Sequence, residues 1–163
     1  MSIGEVCTRE VVCIRRDATA AEAAQLMREF HVGTLVVAEE TDGAVLPVGI
    51  VTDRDIAVGI VAARVDADVV LVGQIMGPAL LTAHEGDDVY ETIQVMRNEE
   101  IRRLPVVDDE GKLVGIVSQD DLYAHLSHEF VALTTVSGRQ RLNEGAARAP
   151  ARSPAMEDAY AYR

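Results

Sequence analysis

Apolar residues near the start of the chain recur at the spacing of an α-helix. These residues are Ala23, Leu26, Met27 and Phe30. Positions three or four apart lie on one face of a helix, so we expect these four side chains to be buried. Thr19 stands just before the segment and Glu22 three positions later, which is the pattern of a capping box at a helix start. The sequence therefore predicts a helix from about residue 20.

Two short apolar runs follow this helix. Residues 35–38 and 48–51 are separated by the turn residues Thr41, Asp42 and Gly43. The second run is apolar at every position, which is typical of a strand covered on both faces. A further helix is expected from about Asp53. The pattern predicts a helix–strand–strand–helix unit.

The chain then repeats this unit. The segment AEAAQLMR at 21–28 aligns with YETIQVMR at 90–97, and VGIVT at 48–52 aligns with VGIVS at 114–118. Asp88 and Glu91 mark the second helix start, and strands are expected at 104–107 and 113–117. We therefore divide the chain into repeats at 1–65 and 66–136. One unit has too few strands to bury its own face, so we expect two to pack sheet to sheet around a pseudo-twofold axis, leaving two equivalent clefts.

Each second strand ends in a hydroxyl residue that is followed three positions later by an acid. The pairs are Thr52 with Asp55 and Ser118 with Asp121. In one interpretation the hydroxyl only caps a helix and the acid lies at its positive end. In the other, the free N–H groups and hydroxyl of the helix start bind a phosphate, and the carboxylate accepts hydrogen bonds from ribose hydroxyls. The motif alone is compatible with both interpretations.

The duplicated order of these motifs resembles a tandem pair of cystathionine-β-synthase (CBS) domains, the Bateman module. The resemblance is carried by GIVTDRD at 49–55, GIVSQDD at 115–121 and IRRLPVVD at 101–108, and it covers about residues 2–130. It implies an α/β fold of two β-α-β-β-α repeats. It also implies adenosine nucleotides or related adenosyl ligands in the clefts, with AMP, ADP or ATP as candidate regulatory ligands, and pairing of modules into a homodimer.

The resemblance also implies a role for individual residues. Asp55 and Asp121 would bind ribose, and Thr52 and Ser118 would face phosphate. The segments before and after each first helix would contact the base, namely Val12, Cys13, Ile14, Val32, Gly33, Leu81, Thr82, Ala83 and Leu104.

We do not expect the two clefts to be equal. Arg54 could meet a phosphate, whereas Asp120, at the matching position of the second repeat, would oppose one. Arg102 and Arg103 have no cationic counterpart in the first repeat. They are either solvated in a loop between helix and strand or paired with phosphate in a cleft. Whether one cleft, both or neither is filled stays open.

Composition narrows the range of partners. Asp and Glu number 27 against 15 Lys and Arg, a net charge of −12. Such acidity disfavours general binding to nucleic acid or to a membrane. The chain has no apolar run of about 18 residues and no leader of basic then apolar residues, so we expect a cytoplasmic protein. Residues 137–163 carry a net charge of +2 and few large aliphatic residues, so we expect this tail to be disordered.

We find no pattern that indicates an enzyme. The sequence contains no P-loop, no recognisable activated nucleophile and no paired catalytic carboxylates. We expect no metal site, because His125 and His128 have no further indicated ligand. Cys7 and Cys13 form no CxxC pair, and are either two small apolar side chains or a regulatory disulfide.

We therefore predict a stand-alone sensor that signals to an unidentified regulated protein through a change of shape, dimerisation or partner binding. The main alternative is a ligand-free structural or stress protein that acts through dimerisation and protein contacts. A third and weaker alternative is a nucleic-acid binder that uses the basic tail.

Overall fold

The computed structural model describes residues 1–147, without the side chains at 137, 138, 141, 142 and 144–147. The chain divides into two units after Tyr123. The first unit, Met1–Tyr123, contains both repeats. The second begins at Ala124 and is helical as far as Ala147.

The two repeats have the same order of elements. The first comprises α1 (Ile3–Val6), β1 (Cys13–Ile14), α2 (Ala20–Phe30), β2 (Thr34–Thr41), β3 (Ala44–Thr52), α3 (Asp53–Ile56) and a π-helical turn (Ala57–Val61). The second comprises α4 (Val72–Ile75), β4 (Ala83–His84), α5 (Val89–Asn98), β5 (Arg103–Val107), β6 (Leu113–Ser118) and α6 (Gln119–Ala147). The predicted β-α-β-β-α order is confirmed, and each repeat has an additional short helix, α1 or α4, at its start.

Helices α2 and α5 begin at the predicted capping residues. Glu22 N donates to Thr19 Oγ1 at 3.1 Å, and Thr19 N donates to Glu22 Oε2 at 2.7 Å, so the predicted capping box of α2 is formed. Asp88 caps α5 through Tyr90 N at 2.8 Å.

Phe30 departs from the prediction for α2. Ala23 and Met27 are buried as expected, but Phe30 is 52% exposed, so the prediction that it is buried is wrong. Phe30 is the last residue of the helix, and the chain reverses at His31, which adopts a left-handed conformation with φ 54°. The helical spacing of the sequence cannot indicate where the helix stops covering the sheet.

The strands form two separate three-stranded sheets with the orders β1-β2-β3 and β4-β5-β6. In each sheet the first pair is parallel and the second pair is an antiparallel hairpin. The first hairpin turns at Asp42 and Gly43, both with positive φ, which is the geometry of a two-residue type I′ turn. The turn predicted at 41–43 is confirmed.

Each short helix packs against the core of the other repeat. Ile3 of α1 is fully buried in a cluster with Ala83 and Met96 of the second repeat. Val72 of α4 is fully buried in the cluster of the first repeat, which includes Met27 and Leu35. The division of the sequence at residues 65 and 66 therefore does not separate the two hydrophobic cores.

Two glycines make room for this exchange. A Cβ atom at Gly49 would lie 2.5 Å from Met76 Sδ, just after α4. A Cβ atom at Gly115 would lie 2.7 Å from Cys7 Sγ, just after α1, and 2.9 Å from the carbonyl oxygen of Thr8. Both approaches are closer than real Cβ atoms make. The glycine of each VGIV segment therefore leaves room for the chain that crosses over from the other repeat, which at Gly115 includes backbone and at Gly49 the Met76 side chain.

Helix α6 continues into the segment that the composition predicted to be disordered. The structure places 137–147 in the helix. This segment includes Arg, Gln, Leu, Glu and Ala, all good helix formers, although it is too polar to form a core. The rest of the predicted tail, 148–163, lies outside the described residues. No helix in the described part of the chain combines the length and apolarity needed to cross a bilayer.

Candidate functional site

The register of the strands decides which side chains face the other repeat. Thr34 pairs with Thr52 across β2 and β3, while Leu35 pairs with Val51. Paired residues share a face of the sheet, and neighbours along a strand alternate between faces. Leu35 and Val51 are buried in the core of their own repeat. Thr34 and Thr52 are therefore on the opposite face, which is turned toward the second repeat.

The second sheet has the same arrangement. Arg103 pairs with Ser118 across β5 and β6, while Leu104 pairs with Val117. Leu104 and Val117 are buried in the second core. Strands β3 and β6 contact each other, so the predicted sheet-to-sheet packing is formed. Two cavities are lined by residues of both repeats.

The first cavity, the Asp55 cleft, has a volume of about 260 Å³. From the first repeat it is lined by Thr34, Ile50, Thr52 and Asp55, and from the second by Gly77, Ala79, Leu80, Leu81, Ile101, Arg102 and Arg103. The hydroxyl and acid of one repeat thus lie opposite an apolar segment and two arginines of the other.

The second cavity, the Asp121 cleft, has a volume of about 300 Å³. Its lining from the second repeat is Arg103, Ile116, Ser118 and Asp121, and from the first Thr8, Glu10, Val11, Val12, His31, Val32, Gly33, Thr34 and Val36. The predicted pair of clefts is therefore present, and both approach the lower end of the size range of small-molecule sites.

Asp55 and Asp121 make the same hydrogen bonds. Asp55 Oδ2 accepts from Thr52 N at 2.8 Å and from Thr52 Oγ1 at 2.6 Å. Asp121 Oδ2 accepts from Ser118 N and Ser118 Oγ at the same two distances. Each acid therefore acts as a helix cap through one oxygen. Within residues 1–147, Oδ1 of each carboxylate has no hydrogen-bond partner, so capping leaves one oxygen available for another donor.

The start of α3 lacks the free N–H groups that the phosphate interpretation required. Asp53 N donates to Gly33 O at 3.1 Å, and Arg54 N donates to Asp53 Oδ1 at 2.8 Å. Asp55 N donates to Thr52 Oγ1 at 3.2 Å, and that hydroxyl in turn donates to Asp55. The N–H groups at this helix start therefore follow the capping interpretation, because the chain supplies its own acceptors. A phosphate near α3 would depend on side-chain cations.

Two arginines can supply that positive charge. Arg102 and Arg103 both line the Asp55 cleft, and Arg103 also lines the Asp121 cleft. Neither guanidinium forms an ion pair in the described part of the chain. Arg54, the other predicted phosphate contact, is exposed and lines neither cleft.

The predicted base-contacting residues fall into two groups. Four of them line a cleft, namely Val12, Val32, Gly33 and Leu81. The others lie elsewhere: Ala83 and Leu104 are buried in the second core, Thr82 is exposed, and Cys13 and Ile14 line an outer cavity beside Arg15 and Glu39. Three of them cannot face a ligand because their side chains pack in the core of their own repeat, namely Ile14, Ala83 and Leu104.

Thr34 is a site residue that the sequence analysis did not select. It lines both clefts, its side chain is only 8% exposed, and its buried Oγ1 has no hydrogen-bond partner in the described structure. Leaving a buried hydroxyl without a hydrogen-bond partner costs stability, so Thr34 is a destabilising position in the wall between the two clefts. The sequence did contain a signal for this residue, because Thr34 in the first repeat aligns with Arg103 in the second.

The two cysteines are separate free thiols. Cys7 is half-buried beside Gly115, whereas Cys13 is exposed. Partial burial raises the pKa of the Cys7 thiol above its ordinary value. In residues 1–147, no group of three or more His, Cys, Asp or Glu residues is arranged to hold a metal ion.

Comparison with known proteins identifies the family. The sequence profile of the CBS domain matches residues 3–62 and 72–128, which together make up more than half of the chain. The chain therefore belongs to the CBS-domain family, with one domain in each repeat.

Curated relatives share the same region. Protein MK0525 of Methanopyrus kandleri is 39% identical over 122 residues, which are 75% of this chain and 61% of that protein. The chain thus spans less than two thirds of the length of MK0525. The CBS domain-containing protein YhcV of Bacillus subtilis is 35% identical over 139 residues, 83% of this chain and 95% of YhcV.

Solved structures with the same fold include two with adenosyl compounds. The CBS domain protein PAE2072 of Pyrobaculum aerophilum, complexed with AMP, is 30% identical with a TM-score of 0.67, over 74% of this chain and 89% of that one. The CBS domain pair of protein MJ0100, in complex with 5′-methylthioadenosine and S-adenosyl-L-methionine, is 25% identical with a TM-score of 0.67, over 77% and 99%. A hexameric CBS-CP12 protein from bloom-forming cyanobacteria is 26% identical with a TM-score of 0.69, over 94% and 90%.

Proposed function

We propose that this protein is a non-enzymatic regulatory module that binds adenosyl ligands in the Asp55 and Asp121 clefts. The observation that carries the proposal is the unpaired Oδ1 atom of each acid, held by the capping box at the edge of a cavity. AMP in PAE2072, and methylthioadenosine and S-adenosylmethionine in the MJ0100 pair, support an adenosyl ligand.

The chemistry of each cleft suits a nucleoside. A fixed carboxylate oxygen can accept hydrogen bonds from ribose hydroxyls, and bonds to a charged acceptor are the stronger kind. Apolar side chains opposite the acid offer a surface for an adenine ring. These are Leu81 and Ile101 in the Asp55 cleft, and Val12 and Val32 in the Asp121 cleft. The output would be a change of shape or of partner binding, received by an unidentified regulated protein.

The acids provide the test of this function. In Asp55→Asn, the single remaining oxygen can stay with Thr52, which leaves an amide NH₂ where a ribose hydroxyl needs an acceptor. A hydrogen bond to a charged group contributes about 1.5–3 kcal/mol, so AMP affinity in that cleft should fall roughly tenfold or more. Calorimetric titration of AMP into Asp55→Asn, Asp121→Asn and the double variant measures each cleft separately.

Unchanged affinity in the folded double variant would leave both acids as helix caps. Wild-type protein whose melting temperature does not move with millimolar AMP, ADP, ATP or S-adenosylmethionine would favour the ligand-free structural alternative, because any ligand bound only by the folded state raises that temperature.

We also propose that the module forms a homodimer through helices of the first unit. The segment around the π-helical turn buries Ile60, but Val58 is 59% and Val61 is 71% exposed. The segment IAVGIVA at 56–62 has no charged or polar side chain, so its exposed valines are not covered within one chain and a second copy would cover them. Light scattering should give about twice 17.6 kDa, and a mass of 17.6 kDa at micromolar concentration would refute the dimer.

A further inference from the structure

We infer that the two clefts select ligands by charge: the Asp55 cleft takes a phosphorylated adenosyl ligand, and the Asp121 cleft takes an uncharged one. The inference rests on the proposed adenosyl function and adds a ligand class for each cleft. Its basis is that the two cavities share one cation, Arg103.

The charged groups around the Asp55 cleft favour an anion. Arg102 and Arg103 line the cavity, and Asp55 is its one carboxylate. With Asp55 directed at ribose, both guanidinium groups remain for phosphate oxygens, which arginine binds in a two-pronged geometry.

The Asp121 cleft has the opposite balance. Its lining contains two carboxylates, Asp121 and Glu10, and the one arginine is Arg103. The remaining titratable side chain there is His31. A phosphate entering this cleft would meet two negative charges, and its positive counter-charge would have to come from the arginine that also serves the neighbouring cleft.

The position of Arg103 explains how one residue reaches both cavities. It is the first residue of β5, and its pairing with Ser118 places it on the face turned toward the other sheet. The guanidinium has no ion-pair partner in the described residues. Thr34 occupies the matching position in β2 and also lines both clefts, but it carries no charge. One guanidinium can pair with a phosphate in only one cleft at a time.

It follows that a phosphate held in the Asp55 cleft removes the counter-charge of the Asp121 cleft. A second phosphorylated ligand should bind weakly, whereas adenosine, which has the same base and ribose but no phosphate, should bind there without this penalty.

The experiment compares AMP with adenosine by calorimetry, one cleft at a time. Asp121→Asn reports the Asp55 cleft and Asp55→Asn reports the Asp121 cleft. AMP should bind about tenfold or more tightly than adenosine in the Asp55 cleft, because it adds charge-assisted hydrogen bonds. In the Asp121 cleft, adenosine should bind at least as tightly as AMP. AMP affinities within about threefold of each other in the two clefts would overturn the inference, because a threefold difference is smaller than the contribution of one charge-assisted hydrogen bond.

Arg102 offers a matched control for Arg103. Arg102→Gln should weaken AMP binding in the Asp55 cleft alone, whereas Arg103→Gln should weaken it in both clefts. Arg103→Lys keeps the charge and should retain most of the affinity, which separates loss of charge from loss of fold. If Arg103→Gln affects only the cleft that Arg102→Gln affects, the cation is not shared and the inference is wrong.

Failure of the underlying function gives a different result. If neither adenosine nor AMP binds the wild-type protein, both the adenosyl function and the charge selection are refuted. If both compounds bind but do not discriminate between the clefts, only the charge selection is refuted.

Discussion

Strand β2 begins with Thr34 and strand β5 begins with Arg103. Each residue pairs across its hairpin with a capping hydroxyl residue, Thr52 or Ser118, and each lines both clefts. The backbone arrangement is the same, yet one residue is a buried neutral hydroxyl and the other a cation without an ion-pair partner within residues 1–147. The comparison shows that the repeat determines where a side chain lies, while single substitutions between the repeats determine what it can bind.

The exchanged segments differ in a similar way. Gly49 faces the flexible side chain of Met76, whereas Gly115 faces Cys7 and the backbone oxygen of Thr8. Thr8 and Ile116 also exchange two backbone hydrogen bonds, each of 2.9 Å. Both short helices are anchored to the opposite repeat by backbone hydrogen bonds, for example Gly4 N to Glu85 O at 2.8 Å and Gly73 N to Arg16 O at 2.9 Å. The difference is local: Gly115 meets backbone atoms that cannot rotate away, whereas Gly49 meets a flexible side chain.

The largest expected effect concerns the two exchanged helices themselves. Ile3 and Val72 are both fully buried in the core of the opposite repeat. Ile3→Ala should lower the free energy of unfolding by about 2–5 kcal/mol, the usual range for a truncated core side chain. Val72→Ala removes one carbon atom fewer than Ile3→Ala, so its loss of unfolding free energy should be smaller by about 0.8 kcal/mol, the contribution of one buried methylene group. Urea unfolding of each variant measures both values, and an Ile3→Ala protein as stable as wild type would contradict the exchange.

A smaller difference should separate the two glycines. Gly115→Ala places a methyl group against the Thr8 backbone, so strand or helix must shift, at about 1–3 kcal/mol of stability. Gly49→Ala meets a methionine that can change rotamer, so we expect a cost of about 1 kcal/mol or less. Gly77→Ala is the control, since nothing lies within 4 Å of an added Cβ there. Thermal and urea unfolding should rank Gly115→Ala as the least stable variant. Equal losses of stability in Gly115→Ala and Gly49→Ala would show that the two crossings do not differ in this way.

Much of the fold could be predicted because its signals are local. The helix α2, both hairpins and the capping hydroxyls are marked by spacing, turn residues and caps within a few positions. The duplication of VGIV and of the following hydroxyl and acid predicted two clefts. These are properties that one segment of chain carries by itself.

The parts of the fold and site that could not be predicted depend on contacts between residues distant in sequence. The four-residue helices α1 and α4 are too short to show periodicity, and their burial is decided by the opposite repeat. The N–H groups at the start of α3 are satisfied partly by Gly33 O, a partner 20 positions away. The unpaired state of Thr34 Oγ1 depends on both sheets and has no sequence pattern.

The smallest expected effect tests that hydroxyl. Thr34→Val replaces a buried, unpaired Oγ1 with a methyl group of similar size, so the ligand-free protein should gain up to about 1 kcal/mol of stability. Thr92→Val is the matched control, because Thr92 is 3% exposed and its Oγ1 donates to Asp88 O at 3.0 Å. Losing that bond should cost about 0.5–1.5 kcal/mol. Urea unfolding without ligand should therefore move the two variants in opposite directions. A loss of stability in Thr34→Val equal to that in Thr92→Val would mean that Thr34 Oγ1 already has a hydrogen-bond partner within the protein, and that the two buried hydroxyls do not differ.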